Sequence, residues 1–160
     1  MRDVRIKELR QHRLLTLAAI SGSVVALDLL TKAWASRNLA GRTVEIIPVV
    51  LSFTYTENTG AAFSFFQDAG TFLSLAAMVA LAVIAVSVWG PRPIGEVVGL
   101  ALIAGGALGN LTDRLTRGDG VFDGPVIDWI QFPNFPVFNL ADTSITFGVA
   151  ALLWASWRSR

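Results

Sequence analysis

The sequence contains no cysteine and only one histidine. Without cysteine, the chain can form neither a disulfide bond nor a thiolate nucleophile. The single histidine, His12, lies in a basic stretch near the N-terminus and is expected to belong to that solvated, positive surface. A Ser-His-Asp catalytic triad is therefore not expected.

Charged residues are also scarce, and their scarcity indicates which solvent surrounds the chain. Only 16% of the 160 residues are charged, the net charge is +1, and 53% of the residues are hydrophobic. This composition lies outside the usual range of soluble globular domains. The small net charge argues against a nucleic-acid partner. The sequence therefore predicts a membrane protein.

Long apolar runs indicate four transmembrane helices. A helix needs about 20 residues to cross a bilayer, and the run from Gly70 to Trp89 has that length without one charge. Gly105 and Gly109 place two small residues one turn apart, which suits close helix packing. We predict one all-α membrane domain over residues 1–160, with helices at about residues 14–32, 70–89, 95–112 and 137–157.

The basic residues predict the orientation of these helices. With both termini and the loop GPRPIGE on one side, that side holds eight of the thirteen Lys and Arg residues. The positive-inside rule then makes both termini cytoplasmic. The N-terminal segment also has features of a secretory signal peptide. No small-residue cleavage site is evident before Asp28, so we expect a retained helix.

A short segment after the first helix has the pattern of a strand. In VVLSFTYT, Leu51, Phe53 and Tyr55 alternate with polar residues, as in a strand with one apolar face. We predict a small periplasmic β-sheet, a cradle on the bilayer surface, at about residues 42–66 between the first two helices. A plain hairpin fits these residues equally well.

Aspartates and glycines lie close together between the third and fourth helices. The aspartates do not match the calcium-loop pattern D-x-[DN]-x-[DN]-G with its distal glutamate, so neither a metal site nor a cofactor is expected. Asp119 and Asp123 have the context of solvated turn residues. Asp128 differs, because the segment PVIDWI surrounds it with apolar and aromatic side chains.

A second aspartate in apolar surroundings, Asp142, lies in the first turns of the last apolar run. An ionised aspartate near hydrocarbon costs roughly 2.5 to 3.5 kcal/mol, so such residues usually face a protein interior or a water-filled pocket. A turn through QFPNFP would bring Asp128 and Asp142 together, and two close carboxylates can act as general base and general acid around one water. Alternatively, Asp142 caps its helix and Asp128 pairs with an arginine.

Five sequence blocks resemble those of the bacterial lipoprotein signal peptidases, the type II signal peptidases. In chain order they are DLLTK, ENTGAAFSFF, GGALGNLTDR, GPVIDWI and FNLADTSI. Each block lies on the predicted outer side of the four helices. One departure is Trp129, where family members commonly have phenylalanine, and this exchange is expected to alter packing more than chemistry.

The resemblance implies an intramembrane aspartyl endopeptidase of the bacterial inner membrane. Such an enzyme removes the signal peptide of a prolipoprotein just before its diacylglyceryl-modified cysteine. The resemblance implies that Asp128 and Asp142 are the catalytic residues, and that the active site lies at the outer face. The implied partners are prolipoproteins and membrane lipid, and we expect a monomer.

Several polar residues are expected to support this pair. Asn110, Asp113 and Arg114 share a helix face, and the donor fork of Arg114 could hold a backbone carbonyl of the substrate. Alternatively, Asp113 and Arg114 form an ion pair at the helix end. Asp28 and Lys32 lie one turn apart with the acid first, the order that favours a structural ion pair.

Three further residues complete the predicted site. Asn139 precedes Asp142 by one turn and could orient its carboxyl group. Asn58 and Gly60, in the turn that follows the predicted sheet, could approach the substrate chain.

A small proton- or cation-coupled transporter is the alternative function, because intramembrane acids also serve as ion relays. A relay requires acids at successive depths in the membrane. The acids near the membrane instead gather at the predicted outer face, which favours a site that faces one compartment.

Overall fold

The computed structural model of the chain describes residues 2–60 and 69–158. Within these residues the chain forms helices and a small antiparallel sheet. The elements are α1 (Arg2–Asn38), β1 (Val44–Ile47), β2 (Leu51–Asn58), α2 (Ala69–Trp89), α3 (Ile94–Thr116), β3 (Val126–Gln131) and α4 (Leu140–Arg158).

Three of the described helices are long and apolar enough to cross a membrane. The qualifying segments are Val4–Asn38, Gly70–Trp89 and Ile94–Thr116. The remaining helix, α4, has 19 residues and includes Asp142 and several hydroxyl side chains. The architecture is thus that of a membrane protein whose helices support a small sheet.

The observed helices extend beyond some of the predicted bounds. α1 begins at Arg2 and ends at Asn38, whereas its apolar run predicted residues 14–32. The flanking residues are polar but rich in good helix formers such as Arg, Lys, Glu and Leu, so the helix continues past the apolar run. Gly41 follows the helix with a φ of 73°, a left-handed conformation that glycine adopts without steric cost.

The sheet has three strands in the order β1-β2-β3, and its third strand was not predicted. β3 comes from the segment between α3 and α4, and it pairs antiparallel with β2. The prediction confined the sheet to residues 42–66, which was wrong because the partner of β2 lies about 70 residues further along the chain. Residues 61–66 of the predicted sheet lie outside the described residues.

The apolar face of β2 packs as its alternating pattern predicted. Phe53 and Tyr55 contact a buried cluster that joins α1 to β3, formed by Ala35, Leu39, Ile127 and Trp129. The rings of Phe53 and Trp129 meet edge to face, with centroids 4.9 Å apart. Because side chains alternate along a strand, Ile127 and Trp129 in this cluster leave Asp128 facing the other side of β3.

Glycines allow α3 and α4 to touch through their backbones. A Cβ atom on Gly106 would lie 2.4 Å from the carbonyl oxygen of Ala141, and one on Gly99 would lie 2.9 Å from that of Gly148. Neither position accepts a side chain unless α4 moves. This close contact places the middle of α3 beside the first turn of α4.

The predicted close packing at Gly105 and Gly109 is confirmed, and its partner is α1. A Cβ atom on Gly105 would lie 2.7 Å from the Cβ atom of Val24. One on Gly109 would lie 2.5 Å from Oδ2 of Asp28. Gly109 therefore leaves the space into which a buried carboxylate of α1 fits.

Candidate active site

Asp128 lies in the middle of β3 and is almost completely buried, with 2% of its surface exposed. Both of its carboxylate oxygens accept hydrogen bonds from side-chain amides. Nδ2 of Asn139 donates to Oδ1 at 2.7 Å, and Nδ2 of Asn58 donates to Oδ2 at 3.0 Å. Among the described residues no arginine forms an ion pair with Asp128, so the predicted alternative of an arginine partner is wrong for this part of the chain.

Asp142 is half-buried in the first turn of α4, where it forms a reciprocal cap with Asn139. The backbone N–H of Asp142 donates to Oδ1 of Asn139 at 2.9 Å. In return, the backbone N–H of Asn139 donates to Oδ2 of Asp142 at 3.3 Å. This is the geometry of a capping box. The predicted capping role of Asp142 is therefore present, and it leaves Oδ1 available to other donors.

The two carboxylates border the same cavity and share Asn139 as a neighbour. Burial raises the pKa of the Asp128 carboxyl from 3.8 to about 6. The hydrogen bond from Asn58 lowers this pKa, the negative charge of Asp142 raises it, and the bond from Asn139 lowers it. Burial outweighs the two amide donors, so Asp128 holds a proton more tightly than an ordinary aspartate does.

The cavity beside the pair has a volume of about 410 Å³ and two chemically different ends. Most of its wall is apolar and comes from α2, α3 and α4, with side chains that include Leu73, Ala77, Ala80, Ile103, Ala107 and Ile145. The polar end is formed by Asn58, Asn110, Arg114, Asp128 and Asp142. A chain that lies in this cavity would place an apolar segment against the helices and a polar backbone against the carboxylates.

Asn58 and Gly60 lie at the end of β2 as the sequence predicted. The amide of Asn58 links the two, because its Nδ2 donates to Asp128 and its Oδ1 accepts the backbone N–H of Gly60 at 2.9 Å. Gly60 has a φ of 94°, which side-chain-bearing residues rarely adopt. This turn fixes the rotamer of Asn58 and thereby its bond to Asp128.

Arg114 is 7% exposed and lines the cavity. Its Nε donates to the backbone carbonyl of Gly70 at 3.2 Å, which ties the guanidinium to the start of α2. The alternative of an ion pair with Asp113 is not formed, since Asp113 pairs instead with Lys32 and Arg117.

Behind the cavity, a buried group of charges joins α1 to α3. Nζ of Lys32 lies 2.7 Å from Oδ2 of Asp28 and 2.8 Å from Oδ2 of Asp113. The predicted ion pair between Asp28 and Lys32 is thus confirmed. Arg117, which the sequence analysis missed, adds a second cation to Asp113 at 2.7 Å. Its position four residues after Asp113, at the C-terminal cap of α3, was the signal that could have identified it.

Asn110 connects these charges to the carboxylate pair. Its Oδ1 accepts hydrogen bonds from Lys32 Nζ at 2.9 Å and from Asn139 Nδ2 at 3.1 Å. Its Nδ2 donates to Oδ1 of Asp142 at 2.8 Å. The structure therefore brings all ten predicted site residues to one region between the sheet and the adjoining ends of the helices. Ala61 and Ala62, expected beside the substrate, lie outside the described residues.

Within the described residues, no group of three or more His, Cys, Asp or Glu side chains is arranged to hold a metal ion. The described side chains provide two carboxylates, two amides and one guanidinium at the cavity, with the amide of Asn139 behind Asp128. Two neighbouring carboxylates with one raised pKa can act as acid and base on a water molecule.

Comparison with known proteins shows the relationship directly. The sequence model of the family "Signal peptidase (SPase) II" matches residues 20–158. A lipoprotein signal peptidase of Thermosynechococcus vestitus is 42% identical over 147 residues, covering 88% of this chain and 90% of the relative. A lipoprotein signal peptidase of Synechocystis sp. is 44% identical over 146 residues, covering 87% of this chain and 84% of the relative.

Solved structures agree with the sequence comparison. Two structures described as bacterial membrane enzymes superpose with a TM-score of 0.76 each, at 29% and 31% identity. They cover 89% and 88% of this chain, which in turn covers 88% and 91% of theirs. The resemblance indicated by the five sequence blocks is confirmed, and the chain belongs to the signal peptidase II family.

Proposed function

We propose that this protein is an aspartic endopeptidase of the bacterial inner membrane that removes the signal peptide from diacylglyceryl-modified prolipoproteins, cutting just before the lipidated cysteine. The observation that carries this proposal is the position of Asp128 and Asp142 at the polar end of an apolar cavity. Membership of the signal peptidase II family and the names of the relatives support the substrate class.

In the proposed mechanism, Asp128 and Asp142 share one proton. The ionised carboxylate takes a proton from a water molecule as the water oxygen attacks the scissile carbonyl carbon. The protonated carboxylate gives its proton to the carbonyl oxygen, which forms a tetrahedral intermediate. When the intermediate collapses, the C–N bond breaks and the leaving amine receives the proton taken from water. The former carbonyl oxygen returns its proton to the aspartate that donated it, so the pair again holds one proton.

The surrounding polar groups hold the reacting groups in place. Asn58 and Asn139 donate to Asp128, and Asn110 donates to Asp142. Arg114 lines the cavity, and only its Nε is engaged by a partner among the described residues. Its remaining N–H groups are placed to hold a backbone carbonyl of the substrate.

The shape of the cavity supports a substrate that arrives from the bilayer. Its walls come from α2, α3 and α4, two of which include segments apolar enough to span a membrane. A signal helix must be locally unwound at the cut, because a helix hides each amide in its own hydrogen bonds.

The alternative function as a transporter finds no support. Asp28, Asp113, Asp128 and Asp142 belong to one hydrogen-bonded network instead of a series across the membrane. Family membership favours the peptidase as well.

A cleavage assay tests the proposed function. Purified protein in detergent is expected to convert a diacylglyceryl-modified precursor into two products, with the lipidated cysteine as the new N-terminus in mass spectrometry. An uncut precursor, or a cut at another bond, would contradict the assignment.

We further propose four membrane spans, with both termini in the cytoplasm and the sheet at the outer surface. The distribution of Lys and Arg residues supports this orientation. Because the site lies beside the sheet, this orientation supports a site at the periplasmic face. A reporter that works only in the cytoplasm is expected to be active when fused after Arg160. Activity of a reporter that works only in the periplasm, fused at the same position, would exclude this topology.

A further inference from the structure

Lys32 is a buried cation that the proposed mechanism does not use. It has no exposed surface, and it is not among the described residues that line the cavity. Three oxygen atoms surround its ammonium group, from Asp28 at 2.7 Å, Asp113 at 2.8 Å and Asn110 at 2.9 Å. Two of these partners are charges that neutralise it. The third partner is the neutral amide of Asn110, which donates a hydrogen bond to Asp142.

The bond from Lys32 determines which way the Asn110 amide points. An ammonium group has three donors and no acceptor, so the Asn110 atom that faces it must be the oxygen. The amide nitrogen must then point in the other direction, where it donates to Oδ1 of Asp142 at 2.8 Å. A reversed amide would place an N–H group against the ammonium and an oxygen against the carboxylate.

Asn139 is oriented in the same manner by a backbone donor. The N–H of Asp142 can only donate, so it requires Oδ1 of Asn139 at 2.9 Å. Nδ2 of Asn139 is thereby directed to Asp128 at 2.7 Å and to Asn110 at 3.1 Å. Lys32 and this backbone N–H together determine the orientation of both amides.

We propose that Lys32 is a positioning residue for peptide hydrolysis, which acts on Asp142 through the amide of Asn110. This inference rests on the proposed function. By holding Oδ1 of Asn110, Lys32 keeps the amide N–H of Asn110 directed at Oδ1 of Asp142, and this hydrogen bond holds the carboxylate of Asp142 in position. Since Lys32 does not reach the cavity, its removal affects the chemical step and leaves substrate binding nearly unchanged.

A simple removal of Lys32 would leave two buried carboxylates short of a cation, which destabilises a fold strongly. The test therefore uses a charge-balanced double variant, Lys32→Met with Asp28→Asn. The new amide oxygen at residue 28 can still accept the backbone N–H of Ala141, which donates to Asp28 at 3.0 Å in the wild type. Asp113 keeps its bond to Arg117. The wild-type protein serves as the reference, because the single variant Asp28→Asn would direct its NH₂ group at the Lys32 ammonium, which lies 2.7 Å from Oδ2 of Asp28.

The double variant is expected to lower kcat on a lipidated precursor by about 10- to 100-fold relative to the wild type, with KM changed less than about threefold. A matched double variant, Lys32→Gln with Asp28→Asn, restores an N–H donor without the charge. Its kcat is expected to exceed that of the Met version by at least about threefold. Both variants are scored per folded molecule after size-exclusion chromatography.

Arg117→Gln is the control. It removes the other cation that pairs with Asp113, and Arg117, unlike Lys32, does not contact Asn110. Its kcat is expected to stay within about twofold of the wild-type value. A folded Met variant with unchanged kcat, or equal kcat values for the Met and Gln versions, would overturn the proposal. Failure of both double variants to fold would also overturn the proposal, because the role of Lys32 would then be to stabilise the fold. If the wild-type protein does not cleave the precursor, the proposed function fails instead.

Discussion

Asp128→Asn and Asp142→Asn are each expected to reduce cleavage of a lipidated precursor by on the order of 10³-fold or more. General acid and base catalysis contribute about 10²- to 10⁴-fold in enzymes, and an amide can perform neither role. At Asp128 the substitution also places an NH₂ group against one of two amide donors, from Asn58 or Asn139. The measurement is kcat/KM of the purified variants, together with their thermal unfolding midpoints.

Asp119→Asn is the matched control for this pair of substitutions. It makes the same chemical change at an exposed aspartate in the loop after α3, which does not line the cavity. Activity close to that of the wild type is expected there. If a folded Asp128→Asn or Asp142→Asn protein retained more than about a tenth of the wild-type activity, that aspartate would be excluded from the catalytic pair.

Features that depend on local patterns could be predicted from the sequence. Apolar runs reveal membrane segments because the bilayer requires about 20 apolar residues for each helical span. Asp128 and Asp142 were conspicuous because a carboxylate among apolar residues requires a specific environment. The polar turn and the prolines between them made their approach plausible. In the structure the chain reverses direction after β3, and Phe138 pairs antiparallel with Ile130.

Features that depend on distant contacts could not be predicted in the same way. β3 is a short segment whose strand pairing is with residues about 70 positions earlier, and its apolar pattern does not distinguish a strand from a buried turn. The link from Lys32 to Asn110 joins residues 78 positions apart. It depends on the close approach of α1 and α3 at Gly105 and Gly109, which only the three-dimensional packing defines.

An unlipidated precursor of identical sequence is expected to be cleaved at least about 100-fold more slowly than the diacylglyceryl-modified form by the same enzyme. A soluble aspartic peptidase recognises several side chains in a long cleft. Here the described cavity is about 410 Å³, with mostly apolar walls and few polar groups beyond the carboxylates and their partners. Side chains of the peptide therefore have few specific partners, and the acyl chains are expected to supply much of the recognition.

The magnitude follows from the transfer of acyl methylenes into apolar surroundings. Each buried methylene contributes about 0.8 kcal/mol, so four of them contribute about 3 kcal/mol, which corresponds to about 100-fold in affinity. The measurement compares kcat/KM for the lipidated precursor with that for the same peptide whose cysteine is blocked by a small carboxamidomethyl group. The blocked peptide separates the effect of the acyl chains from that of a free thiol. Equal values for the two substrates would show that the peptide alone determines specificity, because both would then depend only on contacts at the polar end of the cavity.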